Sequence, residues 1–246
     1  MKEDFPFMTT LLTCLMISVF LFTMSIGERI LNPEAEVNLS FYFEKFGFVP
    51  QRPTLYSLIT YTFIHADIFH LFGNLMALTA VGLVLEKHIG KIPFLSIYIS
   101  SGCLAAIFDI MNRILLKLPM SFPLIGSSGS IFGLMTVAAL TQPTQKIPTL
   151  LVLLSLFPFI ELILPFLIVQ DVATFNAIFL LMVCVILLLN LIIPNSIPVG
   201  LAIFFFIFSW IFSLILRLPT SISNLAHLGG AVGGILSIFI FPKEKT

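Results

Sequence analysis

The chain has 246 residues, of which 59% are hydrophobic and only 10% charged, and its mean hydropathy is +1.12. These values exclude an ordinary soluble domain; a hydrocarbon core about 30 Å thick asks for ~20 apolar residues per crossing, and the chain supplies that repeatedly. Twelve basic residues balance twelve acidic ones, so the net charge of zero leaves no overall footprint for nucleic acid or for an anionic membrane surface.

The predicted elements are eight apolar spans, at about 5–26, 68–86, 92–111, 127–141, 147–169, 172–193, 197–216 and 224–241. The first follows Lys2, Glu3 and Asp4. It lacks the basic start, short apolar stretch and Ala-x-Ala-like site of a signal peptide, so it reads as a retained helix. No Arg/Ser-rich transit segment precedes it, and the expected location is the plasma membrane. Residues 28–67 differ from the rest. They mix Glu28, Arg29, Glu34, Glu36, Glu44, Lys45 and Arg52 with Phe41, Tyr42, Phe43, Phe46 and Phe48. Aromatics beside charges suit the membrane–water boundary, so this first loop is expected to form short interfacial helices.

Pro and polar clusters punctuate the later spans, among them Glu86-Lys87-His88, Asn112-Arg113, Thr141-Gln142-Pro143, Gln170-Asp171 and Pro194-Asn195. Lys and Arg divide evenly between the two sides, so they do not orient the chain, and an even number of spans puts both termini on one side. The three cysteines, Cys14, Cys103 and Cys184, lie singly inside apolar runs, which argues against disulfides or a zinc site. The chain reads as one all-α polytopic membrane domain over 1–246.

Chemistry concentrates at the starts of two spans. Gly126-Ser127-Ser128-Gly129-Ser130-Ile131-Phe132-Gly133 places Ser128 at a helix N-terminus, where unpaired N–H groups and the helix dipole favour negative charge. Gly126 and Gly129 let the backbone bend and approach a substrate. Near the end of the chain, His227, Gly230 and Gly234 share one helix face. If Gly129 and Gly133 meet Gly230 and Gly234, the Ser128 hydroxyl and a His227 ring nitrogen come within reach, the minimum for acyl transfer. Phe132 is placed to stack on the imidazole. No acidic residue is placed nearby as a third member, so a dyad is expected. His70 and Asn74, i and i+4 on the second span, are donors of the type that line an oxyanion hole.

The blocks His65…His70-Leu71-Phe72-Gly73-Asn74, Gly82…Leu85-Glu86…Gly90, Gly126-x-Ser128-Gly129-x-x-Phe132-Gly133 and Ala226-His227-x-x-Gly230-x-x-x-Gly234 resemble, in order, those of rhomboid intramembrane serine proteases. The resemblance covers residues 54–141 and 197–241. It implies a six-helix core, with Ser128 as nucleophile and His227 as base. His70, Asn74 and the backbone at Gly126 and Ser128 would line the oxyanion hole, and His65 and Glu86 would act as supports. It further implies cleavage of single-span membrane proteins near a helix end, within the lipid bilayer and without metal or cofactor.

Two departures stand out. Leu55-Tyr56-Ser57-Leu58 replaces the Trp-Arg pair that many members carry in the first loop. The serine and histidine also have room for three spans between them instead of one. The stretch 197–216 resembles the usual penultimate helix, so residues 147–193 read as an inserted two-helix hairpin, which preserves the direction in which the His helix enters. Glu161, between Pro158 and Pro165, and Asp171 fall in that hairpin; the first reads as structural or interfacial with substrate contact as the alternative, the second as a turn residue. His88 reads as interfacial, and Asp109 with Arg113 as a stabilising i, i+4 pair. Two other functions stay open: an inactive rhomboid-like adaptor that binds membrane segments, and a transporter, for which no inverted repeat is visible.

Overall fold

The computed structural model describes residues 5–26, 39–155, 195–204 and 224–240. Helix α1 (Phe7–Ile26) is followed by α2 (Leu39–Phe46), a short α3 (Ser57–Thr60) and a 3-10 turn (Tyr61–Phe63). Then come α4 (Ile68–Ile89), α5 (Lys91–Leu116) and α6 (Ser128–Thr141). Strand β1 (Lys146–Pro148) leads into α7 (Thr149–Ser155); strand β2 (Ser196–Pro198) leads into a helical stretch at 199–204; α8 (Asn224–Ile240) closes the described chain.

Local chemistry sets the boundaries. The Asp67 carboxylate caps α4 by accepting from Phe69 N at 2.9 Å and His70 N at 2.8 Å. At the other end Gly90, with φ of +80°, is the single residue between α4 and α5; a residue with a Cβ is strained there. Helix α5 ends at Lys117 in the left-handed region, where Leu118 N donates to Arg113 O at 2.9 Å. Just before that end, the Arg113 guanidinium donates to Asp109 at 2.7 Å, the expected i, i+4 pair.

Helices α4 and α5, at 22 and 26 residues, are long and apolar enough to cross a membrane. Helix α6 is not: its 14 residues rise about 21 Å, short of a hydrocarbon core of about 30 Å.

Helix α8 lies along both α5 and α6, and α4 packs against α1, α6 and α7. The core between them is closed by Leu78, Leu85, Phe94, Ile97, Tyr98, Leu134 and Ala138. One polar device binds α1 to α4. The buried Glu86 carboxylate accepts from Met8 N, Thr9 N and Thr9 Oγ1, each at 2.8 Å. A carboxylate from one helix thus caps the N-terminus of another, where the unpaired amides and the dipole favour it.

The described part of the first loop holds the short helices α2 and α3 and the 3-10 turn. Without the Trp-Arg pair it is tied by other bonds: Tyr56 OH to Lys45 O at 3.1 Å, Ser57 Oγ to Thr54 O at 2.8 Å and Thr60 Oγ1 to Phe46 O at 2.6 Å. A two-bond bridge then joins it to the segment before α6, with Phe48 N to Leu124 O at 3.0 Å and Leu124 N to Phe48 O at 2.8 Å.

The all-α expectation meets one exception. The spans expected to begin at 147 and 197 open on strands, which pair antiparallel with Lys146 opposite Pro198, Ile147 opposite Ile197 and Pro148 opposite Ser196. Pro148 and Pro198 explain it: each disfavours a helical residue before it, so helix starts at Thr149 and at 199. The ends of the segment between the strands are therefore held side by side. The rest of the 147–169 span, the whole of 172–193, Glu161, Asp171 and most of 197–216 lie outside the described residues.

Candidate active site

Ser128 and His227 stand at the first turns of α6 and α8, and they are joined. The Ser128 hydroxyl lies 2.9 Å from His227 Nε2, which accepts its proton in the tautomer that leaves Nε2 bare. The helices reach this separation because glycine faces glycine. A Cβ at Gly230 would strike the backbone of Gly129, with its carbonyl oxygen nearest, and one at Gly234 would strike the backbone of Gly133 in the same way. Gly129 and Gly133 also abut Ala105 and Ser101 of α5.

The imidazole is held from one side by Phe132. The two rings are parallel within 7° with centroids 4.3 Å apart. His227 Nδ1 is buried, and among the described residues it has no hydrogen-bond partner. No carboxylate therefore completes a triad within that part of the chain.

The opposite wall comes from α4. Gly126 has φ of +106°, and the space a Cβ would take is filled by the His70 ring, whose Nε2 lies 2.6 Å from that point. His70 is thus seated directly against the turn that leads to Ser128. Asn74 is buried one helical turn on, and one of its amide hydrogens is spent on the His70 carbonyl at 2.9 Å. A second remains for a ligand.

One assignment is corrected. Gly126 was expected among the oxyanion donors, but its N–H donates to the Tyr61 carbonyl at 3.0 Å. Its part is steric: it admits His70. The amides ahead of Ile131, whose N–H closes the first helical bond onto Ser127 O at 3.0 Å, lack an intrahelical acceptor.

His65 supports the wall from behind. Its ring meets that of His70 edge-on at 5.0 Å, its Nδ1 lies 3.3 Å from Phe63 O and its Nε2 lies 3.5 Å from Ser127 Oγ. Burial holds this imidazole neutral, pushing its pKa down to about 3, and the adjacent His70 adds to the effect.

Two contributors, Tyr61 and Thr9, escaped the sequence reading. Tyr61 donates its hydroxyl to Gly102 O at 2.8 Å while its carbonyl receives Gly126, so one buried residue ties α5 to the serine turn. Thr9 gives its hydroxyl to Glu86 of another helix. Each lies far in sequence from its partner, and no local pattern marks it. Among the described residues no group of three or more His, Cys, Asp and Glu side chains is placed to hold a metal.

Fold and site define a helical membrane protein with a serine and a histidine joined between two close-packed helices. A family model described as the Rhomboid domain matches residues 52–177, just over half of the sequence, and the chain belongs to the rhomboid family. Several curated proteins are similar to it. "Rhomboid protein 1, mitochondrial" of Saccharomyces cerevisiae is 31% identical over 102 residues, 42% of this chain and 28% of that protein. "Putative rhomboid protease YdcA" of Bacillus subtilis is 35% identical over 80 residues, 32% of this chain and 38% of its own. "Inactive RHOMBOID-like protein 8" of Arabidopsis thaliana is 29% identical over 109 residues, 42% of this chain and 29% of its own. The chain thus matches well under half the length of each of these relatives.

Proposed function

We propose that the protein is an intramembrane serine endopeptidase that cleaves single-span membrane proteins near a helix end. The observation that carries this reading is the 2.9 Å contact between Ser128 Oγ and His227 Nε2 at the start of a helix too short to cross the membrane.

In this reaction the Ser128 oxygen attacks the scissile carbonyl carbon as its proton passes to His227 Nε2. The oxyanion that forms is met by the amides at the start of α6 and by the His70 and Asn74 side chains. The carbon–nitrogen bond then breaks, His227 returns the proton to the leaving amine, and an ester to Ser128 remains. Water, deprotonated by His227, hydrolyses the ester and regenerates the serine. Phe132 keeps the imidazole plane fixed through both halves. No step calls on a metal or cofactor.

The same proposal includes a six-helix core with residues 147–193 as an added hairpin, eight spans in all, and residence in the plasma membrane; fractionation of a tagged chain checks the last. The second reading is an inactive adaptor, which the name of the Arabidopsis relative brings forward. Purified chain in liposomes, offered a panel of single-span substrates, separates the two. Wild type is expected to cleave, and Ser128→Ala to lose about a thousandfold or more. No cleavage and no labelling of Ser128 by a fluorophosphonate, in detergent or liposomes, would favour the adaptor. Undiminished cleavage by Ser128→Ala would remove the serine mechanism.

A further inference from the structure

The first loop forms a half-open cavity of about 300 Å³, at the lower end of the range for small-molecule sites. It lies between α2 and the residues before α3, and Phe41, Glu44, Lys45, Arg52, Thr54 and Tyr56 line it. Arg52 and Glu44 form an ion pair and neutralise each other. Lys45 has no such partner among the described residues; its ammonium sits 5.4 Å and 5.6 Å from the ring centres of Phe41 and Phe46. The lining therefore carries one surplus positive charge, although the chain as a whole is neutral. The Thr54 hydroxyl accepts from Ser57 N at 3.3 Å, which leaves its hydrogen to donate.

The position of the cavity selects its occupant. The adjoining Phe48 is bridged to Leu124, two residues before Gly126, so the cavity lies at the end of the molecule where α6 starts. Phe41 and Tyr56 of its lining and the adjoining Leu55 are 56%, 51% and 87% exposed. Charges beside bare apolar side chains mark the level of lipid headgroups. A soluble anion has no use for such a rim, whereas acyl chains lie along it.

We propose that this cavity seats the phosphodiester of a membrane phospholipid, with Lys45 as the charge that holds it, Thr54 as a hydrogen-bond donor and the exposed apolar rim against the acyl chains. The single surplus charge matches one phosphodiester, so an anionic headgroup binds more tightly than one carrying its own ammonium. This site stands apart from Ser128 and His227, and its test reads binding, so it survives or fails independently of the protease reading.

The test uses the full chain in a neutral detergent, titrated with short-chain phosphatidylglycerol and followed by the shift in thermal midpoint. Wild type is expected to show a saturable upward shift. Lys45→Gln should weaken the apparent affinity about fivefold, the worth of one basic residue at an anionic leaflet, and Lys45→Arg should restore it. Glycerol 3-phosphate at equal concentration is expected to give no shift, and short-chain phosphatidylcholine a weaker one. Equal shifts from glycerol 3-phosphate would overturn the lipid as the source. Equal shifts in wild type and Lys45→Gln, no saturable shift at all, or a shift only with an acidic peptide would overturn the site.

Discussion

The ring of Phe132 lies parallel to that of His227, 4.3 Å away, from a position one helical turn beyond Ser128. Serine and stacking partner thus ride on one helix, and the histidine is clasped between them. Phe132→Ala is expected to lower kcat about tenfold, since a stacked pair is worth roughly 1 kcal/mol and misorientation adds to its loss. Phe132→Tyr should keep most of the activity. Cleavage rates in liposomes check this; an unchanged kcat in Phe132→Ala would show that the ring does not set the geometry.

Gly230 and Gly129 meet backbone to backbone. Gly230→Ala has no room for its methyl group, so α8 must back away from α6. The expected cost is about 1–3 kcal/mol of stability, together with loss of cleavage as the Ser128–His227 contact opens. Thermal midpoint and activity should fall together. A variant as stable and active as wild type would contradict the close approach.

Glu86 is expected to act on stability and not on chemistry. Glu86→Ala leaves two amides and the Thr9 hydroxyl without their acceptor, at a cost of about 3 kcal/mol or more. Thr9→Val removes only one of those bonds, at about 1 kcal/mol. In both, the rate per probe-labelled molecule is expected to match wild type. A coupling energy near zero between the two substitutions would contradict the cap.

His65 makes the fold sensitive to acid. Its pKa is depressed to about 3 in the folded chain against 6.5 unfolded, so between those values the unfolded state binds the extra proton. Nothing is lost above pH 6.5, and stability falls as the pH drops below it. The midpoint in detergent should therefore decline from pH 7 toward pH 4, and His65→Gln should flatten that decline. Parallel pH profiles for the two proteins would show that His65 is not the group responsible.

Much of this was legible in the chain itself. The positions of α1, α4, α5, α6 and α8 follow from runs of apolar residues, because an apolar setting imposes its composition on each; α4 and α5 also have the length of a crossing. The elements of the site were visible too. Ser128 follows a glycine turn, Phe132 sits one turn on, and Gly129/Gly133 and Gly230/Gly234 repeat at helical spacing; a helix turns these local intervals into a shared face. His70 and Asn74 show the same interval on α4.

What only the tertiary structure decided is where bonds cross between elements. That the Gly126 amide belongs to Tyr61 and not to an oxyanion depends on residues 65 positions apart in the chain. The cap of Glu86 on α1, the bridge of Phe48 to Leu124 and the strand pair at 146–148 and 196–198 likewise join residues far apart in the chain; the prolines of that pair announced a break in helix but not a partner. Periodicity along one helix reports which side chains share a face. It carries no record of which carbonyl on another element meets a given amide, because that choice is made by packing, after the helices have formed.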